Sequence, residues 1–393
     1  MIRPYKNRRP PRKLAWLLDE ETVLLENGRP GYLARALARN VQVWGSSEML
    51  RQITLAGNGS AVLWRNLVIG WNPDREASVW PVRGIGMQTP EDSWEIMDGL
   101  RRWRDWLQRY GACPQGSLGG SGLSLVKATM TEPLYTNAGD SPPIYYTMGG
   151  RQVTPIHAPA HYEMQMVHSD IRAAYAQTLG GMRYGGYWMR EKWNPKWQKY
   201  LSRRTDTPVF IRAKVEVPQL AEKFPQLDVN DRGPLIRRPR KAPDLTTTLF
   251  WELPEAYPSG RTLQGVWTMQ ELEAAEEAGC KIKRVLDVWI MPTTQRPFAP
   301  WLEAVWDGRA MRGFAGQLAK ATGNATWGQF AIAKGRRLIR TSTSKRLAPL
   351  RGGNPSQRAF DLAENICGRV RAQLYRGMLF AGPDLVTAHT DGL

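Results

Sequence analysis

Apolar positions along the chain fall into two regimes. Residues 14–140 read as short strands mixed with helices: Ser60–Trp64 is an apolar run of strand length, and Ser93–Tyr110 repeats its apolar residues at helical spacing. A glycine-rich segment, Gly116–Gly122, follows. Tyr145–Arg151 (YYTMGGR) and the Pro/His-rich stretch to Pro159 break the pattern and read as a linker. Beyond residue 160 the helical patterns lengthen, with a polar, proline-rich interruption near Val229–Pro243.

Three segments of this second region stand out. Met164–Val167 predicts a short strand, and Ile171, Ala174, Tyr175, Thr178 and Leu179 then recur at helical spacing, which sets Asp170 at a strand-to-helix junction. Further on, Phe314, Leu318, Ala321 and Ala325 predict the apolar face of a helix that continues from Arg309 and Arg312. Lys320, Asn324 and Trp327 share another of its faces. Last, Leu362, Ile366, Val370 and Leu374 predict a long helix, Ala381-Gly382-Pro383 a turn, and Asp384–His389 a strand. Asp391-Gly392 is then a hairpin-turn signal. There is no internal repeat, and no apolar run reaches the roughly 18 residues of a membrane span.

Charge narrows the partner. Lys and Arg exceed Asp and Glu by 54 − 36 = 18 in 393 residues. Such a surplus repels itself without a polyanion, so nucleic acid is the leading partner, ahead of a ribosome or membrane surface. The opening MIRPYKNRRPPRK is too basic and too poor in apolar residues for a secretory signal and reads as a tail. Arg237, Arg238, Arg240 and Lys241 form a second basic cluster, a phosphate contact or a solvated loop. The three cysteines lack metal or disulfide spacing, which points to a reducing, cytoplasmic compartment. Most of the 17 tryptophans are expected in the core, with some open to base stacking.

Each segment also carries candidate chemistry beside an ordinary alternative. Asp170 is either a rigidly held ligand or a helix N-cap. Lys320, Asn324 and Trp327 put a cation, an amide and a flat ring on one stripe, suited to a nucleotide; the alternative is a solvated polar face. Asp391 is either a ligand at a turn or an ordinary Asp-Gly turn.

Taken in order, the three segments resemble motifs A, B and C of family B DNA polymerases. Asp170 and Tyr175 match the ends of Asp-x-x-Ser-Leu-Tyr. Lys320, Asn324 and Gly328 match Lys-x-x-x-Asn-Ser-x-Tyr-Gly, with Ala325 for Ser and Trp327 for Tyr. Thr390 and Asp391 match Tyr-x-Asp-Thr-Asp-Ser, with His389 for the first Asp and Gly392 for Ser. YYTMGGR, with Gly149, Gly150 and Arg151, resembles the Tyr-x-Gly-Gly linker of the viral, protein-primed branch. Gly265–Arg309 resembles that branch's lead-in to the fingers helix. A reverse transcriptase or primase-like enzyme lacks the Lys320–Gly328 helix at this spacing.

The resemblance implies a template-directed DNA polymerase working by two-metal nucleotidyl transfer in viral or mobile-element replication. Two Mg²⁺ or Mn²⁺ ions roughly 3.5–4 Å apart would be held by Asp170 and Asp391, hard oxygen ligands of the kind magnesium takes. It further implies Lys320 on the triphosphate with Arg309 or Arg312, Tyr175 beneath the deoxyribose, and Asn324 and Trp327 flanking the nascent base pair. Gly149, Gly150 and Arg151 are implied in DNA contact. The implied partners are primer-template DNA, deoxynucleoside triphosphates and, in the protein-primed branch, a terminal priming protein.

The implied fold is mixed α/β (α+β): a basic tail over 1–13, an RNase H-like degenerate exonuclease domain over 14–144, a linker over 145–160, and palm and fingers over 161–393, the thumb missing. In the first domain Asp19 and Glu21 resemble the family's Asp-x-Glu, and Asp98 after Trp94 its Tyr-x-x-x-Asp. Gly70 stands where Asn66 would lead to an Asp, so a ligand of the cluster is lost; the alternative is that Asp19 and Glu21 are surface acids. The chain stops two residues after Asp391, before a return strand could form, which reads as a truncated frame. The rival class is a catalytically inactive, polymerase-derived DNA-binding protein, favoured by His389, Gly392, Ala325 and Gly70.

Overall fold

The computed structural model describes residues 3–5, 13–19, 21–39, 41–46, 62–64, 67–69, 79–82, 92–115, 118–135, 139–144, 151–153, 169–192, 194, 206–228, 231–237, 257–293, 295–330, 336–340, 345–349, 359–386 and 388–390. They belong to two compact units, each discontinuous in sequence. The N-terminal unit joins residues 3–133 to 298–355, and the C-terminal unit joins 134–297 to 356–393. Among these residues no helix is long and apolar enough to cross a membrane.

The N-terminal unit holds a five-stranded sheet of β1 (Leu14–Leu17), β2 (Thr22–Leu25), β3 (Pro30–Tyr32), β4 (Gln42–Ser46) and β7 (Val79–Val82) in the order β3-β2-β1-β4-β7. The first three form an antiparallel meander, and β4 and β7 add in parallel. A second sheet combines β5 (Val62–Trp64) and β6 (Leu67–Ile69) with β13 (Arg336–Arg340) and β14 (Lys345–Pro349). Helix α1 (Leu33–Ala38) is short, and α2 (Ser93–Arg109) fulfils the amphipathic expectation. Asp92 caps α2 by accepting the Trp94 N–H at 2.9 Å, and Ile96, Leu100, Trp103 and Leu107 bury one stripe. The unit is completed by α3 (Leu118–Thr129), α6 (Ala299–Arg309) and α7 (Phe314–Thr326).

The C-terminal unit contains α4 (Ala174–Gly181), α5 (Met269–Glu277), the long α8 (Phe360–Ala381) and a four-stranded antiparallel sheet. That sheet comprises β9 (Met189–Glu191), β10 (Val209–Val217), β11 (Arg261–Thr268) and β12 (Lys281–Ile290), ordered β11-β10-β12-β9. β10 explains its layering: Val209, Ile211, Ala213, Val215 and Val217 alternate into the core shared with α5 and α8, while Arg212 and Lys214 face away. At α5 Thr268 and Glu271 form a capping box, so the strand-to-helix turn is satisfied from its own side chains. A separate two-stranded ladder pairs β8 (Arg151–Val153) with β15 (Ala388–Thr390).

The glycine-rich segment, for which the pattern set no element, enters a helix from Leu118, because Gly119 and Gly122 let α3 lie against α7; a Cβ on Gly122 would come within 1.9 Å of Thr326 Oγ1. Several local expectations change. The motif-bearing helix is not continuous with the one before it: Gly313, at φ 69°, breaks α6 from α7. Its buried face carries Phe314, Leu318, Thr322 and Thr326, while Ala325 is exposed and Ala321 only half-buried. Of the strand expected over 384–389, Asp384 instead ends a 3₁₀ turn (382–384), and among the described residues pairing begins at Ala388 and runs to Thr390. Within the expected linker, 151–153 form a strand. The strand expected at 164–167 lies outside the described residues, as do Ser60 and Arg238–Pro243.

Candidate functional site

In the C-terminal unit the chain reaches Asp170, turns through residues 171–173 and enters α4. Asp170 is exposed, and it is not the cap: the N-cap of α4 is Ala173, with no side-chain cap bond. The carboxylate is therefore not spent on holding the helix. Ala173 sits at φ 53° and ψ 37°, the one non-glycine residue with positive φ among those described. That conformation costs a residue with a Cβ about 1 kcal/mol or more. The strain is confined to the turn between Asp170 and Tyr175. Tyr175 is 8 % exposed on α4, beside the fully buried Ala176 and Leu179.

The ladder of β15 with β8 brings together two segments that the sequence separates by more than 200 positions. Ala388 lies opposite Val153, His389 opposite Gln152 and Thr390 opposite Arg151. The last residue of the YYTMGGR segment thus pairs with the residue immediately before Asp391. Asp391, Gly392, Gly149 and Gly150 lie outside the described residues.

In the N-terminal unit α7 is held from three sides. Trp103 of α2 donates its indole N–H to Thr322 Oγ1 at 3.0 Å. Gly119 and Gly122 of α3 admit the close approach just described, and Gly323 faces Val305 of α6. This fixes which way α7 points its remaining face. Lys320 there is exposed, and Asn324 and Trp327 are half-buried, so the expected stripe exists. Asn324 Oδ1 is buried and meets no hydrogen-bond donor among the described residues. Nothing lies within 4 Å of where a Cβ on Gly328 would stand. Arg309 ends α6 with its guanidinium 5.0 Å from the Trp306 ring centroid, and Arg312 is exposed in the loop before α7.

Two of the three first-domain carboxylates, Asp19 and Asp98, engage local partners. Asp19 Oδ1 accepts the N–H groups of Glu21 and Thr22, both at 2.8 Å, and Oδ2 accepts the Thr22 hydroxyl. These bonds close the β1–β2 turn, and, led by the Thr22 hydroxyl, they hold the Asp19 carboxyl below its ordinary pKa. Glu21 is exposed, and Asp98 on α2 pairs with Arg102 one turn on, at 3.7 Å. Among the described residues no three His, Cys, Asp or Glu side chains are grouped to hold a metal ion. Asn66 and Gly70 lie outside the described residues.

Sequence reading missed the polar residues of α8. Asp361 is fully buried, and its Oδ2 accepts both the Tyr184 hydroxyl at 2.7 Å and the Trp188 indole N–H at 2.6 Å. The chain just after α4 is thereby fastened to the helix that leads into β15. Burial pushes the Asp361 carboxyl above its ordinary pKa, against the pull of its donors. Arg371, 1 % exposed, bonds Glu271 at 2.9 Å and also Glu364, so one guanidinium serves two buried carboxylates. An acid in the first turn of a helix reads in sequence as a dipole partner; nothing local announces its burial.

No protein-family model and no curated protein matches the chain. Solved structures do. The fold matches phi29 DNA polymerase in its orthorhombic crystal form with a TM-score of 0.53 at 12 % identity, covering 97 % of this chain and 80 % of that one. The phi29 DNA polymerase complex with primer-template DNA and incoming nucleotide gives 0.56 at 13 % identity over the same shares. The complex of that polymerase with single-stranded DNA gives 0.55 at 13 % identity, covering 97 % and 79 %. The chain has a mixed α/β fold resembling this protein-primed family B polymerase along nearly its whole length.

Proposed function

We propose that the protein is a template-directed DNA polymerase whose nucleotidyl transfer depends on Asp170 and Asp391. The observation that carries this reading is the coincidence of two independent findings. Three sequence segments occur in the order of motifs A, B and C, and the chain bearing them has the phi29 polymerase fold. In solved form that polymerase holds primer-template DNA and incoming nucleotide, and the excess of 18 positive charges here suits the same ligands.

Asp170 fits a hard divalent cation: it is an exposed carboxylate at a tightly built turn, not consumed by capping. With Asp391 it would hold two Mg²⁺ or Mn²⁺ ions, which when bound neutralise phosphate charge and favour ionisation of a primer hydroxyl. The chain's own groups do the rest. Lys320, with Arg309 or Arg312, would meet the triphosphate as the charged donor. Tyr175 would close the space under the sugar, and Asn324 and Trp327 would flank the base pair. Arg151, next to β15 in the ladder, would take a strand of DNA.

In this reading the five-stranded sheet, with β2 its one antiparallel member, is an RNase H-like exonuclease fold without activity, since Asp19 is committed to its turn. The C-terminal unit is the palm, and α6 and α7 belong to the fingers. A second reading, an inactive polymerase-derived DNA-binding protein, draws its support from His389, which stands where the family has a metal-binding Asp.

Primer extension with Mg²⁺ or Mn²⁺ separates the two. Asp170→Asn and Asp391→Asn should each abolish extension while leaving DNA affinity nearly unchanged, because phosphate contacts supply the affinity. Wild-type rates in either variant would overturn the two-metal assignment. A wild-type chain that binds primer-template without extending it, and that His389→Asp makes active, would favour the second reading for the natural sequence.

A further inference from the structure

One face of the four-stranded sheet is covered by α5 and α8; the other buries Phe210 and Trp289 at one end and is exposed and basic beyond them. On β10 Arg212 and Lys214 point away from the core. The ladder with β12 sets Arg212 opposite Asp287 and Lys214 directly opposite Arg284. Like charges directly across an antiparallel pair repel, and among the described residues neither Lys214 nor Arg284 has an ion-pair partner. The register of β12 also slips twice, between the partners of Arg212 and Ala213 and again between those of Lys214 and Val215. Bulges so placed bracket Arg284 and re-aim its side chain. An uncompensated cation pair, positioned by two bulges, is a place for a polyanion.

The same face continues to the β9 edge. Arg190 lies opposite Trp289, its guanidinium 5.8 Å from the indole centroid, and it donates to Asp287 at 2.7 Å; Arg212 approaches the same carboxylate at 3.6 Å. One anion thus answers two arginines, and a cavity of about 280 Å³ opens beside them, walled on one side by Asp140, Ser141 and Pro143. Just before β9, at the edge of the sheet and turned from Arg190's face by the odd spacing of three residues, stands Tyr187. It is stacked on Tyr135 with ring centroids 6.2 Å apart and planes at 23°. The two rings are 62 % and 44 % exposed, so the pair presents apolar ring surface to solvent.

We propose that the basic stretch of this face, with the tyrosine pair at the β9 edge beside it, is a track for single-stranded nucleic acid, with phosphates on Arg212, Lys214 and Arg284 and a base received on the Tyr135–Tyr187 pair where the strand passes the sheet edge. Flexible single strands bind where cations follow the backbone and exposed rings receive unpaired bases; a duplex offers no free base face to the tyrosines. For its ligand class the proposal rests on the polymerase reading, but it takes no residue from the three motifs.

Fluorescence anisotropy of the full chain with labelled oligothymidylate, and with a duplex of equal length, across a salt series tests it. The triple variant R212A/K214A/R284A should weaken oligothymidylate binding and flatten the log affinity–log salt slope by about 2. Tyr187→Ala should weaken it about tenfold with the slope unchanged. R212Q/K214Q/R284Q, which keeps polar bulk, should repeat the slope change, with circular dichroism certifying the fold. A folded triple variant with the wild-type slope overturns the track, as does a loss confined to the duplex. Primer extension reports separately on the polymerase reading. An inactive chain that binds oligothymidylate through this face leaves the track standing, and an active chain whose triple variant binds normally sinks the track alone.

Discussion

At Asp361 two donors, the Tyr184 hydroxyl and the Trp188 indole, meet one carboxylate oxygen inside the core, and the other oxygen finds no donor among the described residues. Burial raises the folded pKa above the unfolded one. The stability this group contributes is then fully present below the ordinary carboxylate pKa of about 3.9 and is lost as pH rises through the folded value. Asp361→Asn keeps an oxygen for both donors and removes the titration. Urea melts at a series of pH values should show wild type losing stability relative to this variant as pH climbs; parallel curves would exclude the linkage. Tyr175 is the second residue-scale case. As a purely packing residue its truncation would cost about 3–5 kcal/mol and lower the use of both sugars together. As the sugar-facing ring its loss should raise the ratio of ribo- to deoxynucleotide incorporation in a folded Tyr175→Ala enzyme. An unchanged ratio leaves it a core tyrosine.

Elements are placed here by how closely their backbones can approach. α3 reaches α7 because Gly119 and Gly122 carry no side chain where Ala325, Thr322, Thr326 and Gln329 stand. A Cβ at Gly122 would lie 2.8 Å from the Thr322 carbonyl, backbone that cannot step aside. Gly122→Ala should therefore destabilise the fold by about 1–3 kcal/mol, the usual cost of overpacking. Gly328→Ala meets open space and should cost little by sterics, and thermal melts of the two variants make the comparison. Equal melting points would mean that the helices adjust freely. α8 is placed differently, by ion pairs inside the core: with Arg371 gone, Glu271 and Glu364 would be left facing each other in a site that excludes water.

For the molecule as a whole, the polymerase reading separates two metal-dependent activities. Asp19 gives both oxygens to its own turn, so Asp19→Ala should lower the stability of the N-terminal unit without touching any digestion of single strands. The expected 3′→5′ exonuclease activity is negligible. Robust Mg²⁺-dependent digestion that vanishes in Asp19→Ala would reverse the assignment of that domain. On the same reading the charge surplus of 18 should appear as a steep fall of DNA affinity with salt, measured by anisotropy across a salt series.

By itself the sequence determined what depends on spacing along the chain. The order of the three motifs, the positive surplus, the long helix on Leu362, Ile366, Val370 and Leu374, and the amphipathic Ser93–Tyr110 all follow from local pattern, and α2 and α8 lie where that pattern puts them. The stripe of Lys320, Asn324 and Trp327 was legible too, since helical geometry alone brings those positions together. Only the tertiary structure decided the rest. Glycine is a poor helix former, yet residues 118–122 of the glycine-rich segment are helical, because close packing on α7 outweighs that preference. Asp170 looked like a cap until the chain turned left-handed at Ala173 and moved the helix start three residues on. Arg151 meets Thr390 through a ladder of three residues a side, too short to announce itself in composition. Asp361, Glu364 and Arg371 lie on α8 between the apolar positions that the sequence singled out, with nothing local to mark them as buried. They are interior because α4, α5 and the sheet close over them, and closure of that kind is made by contacts far apart in sequence.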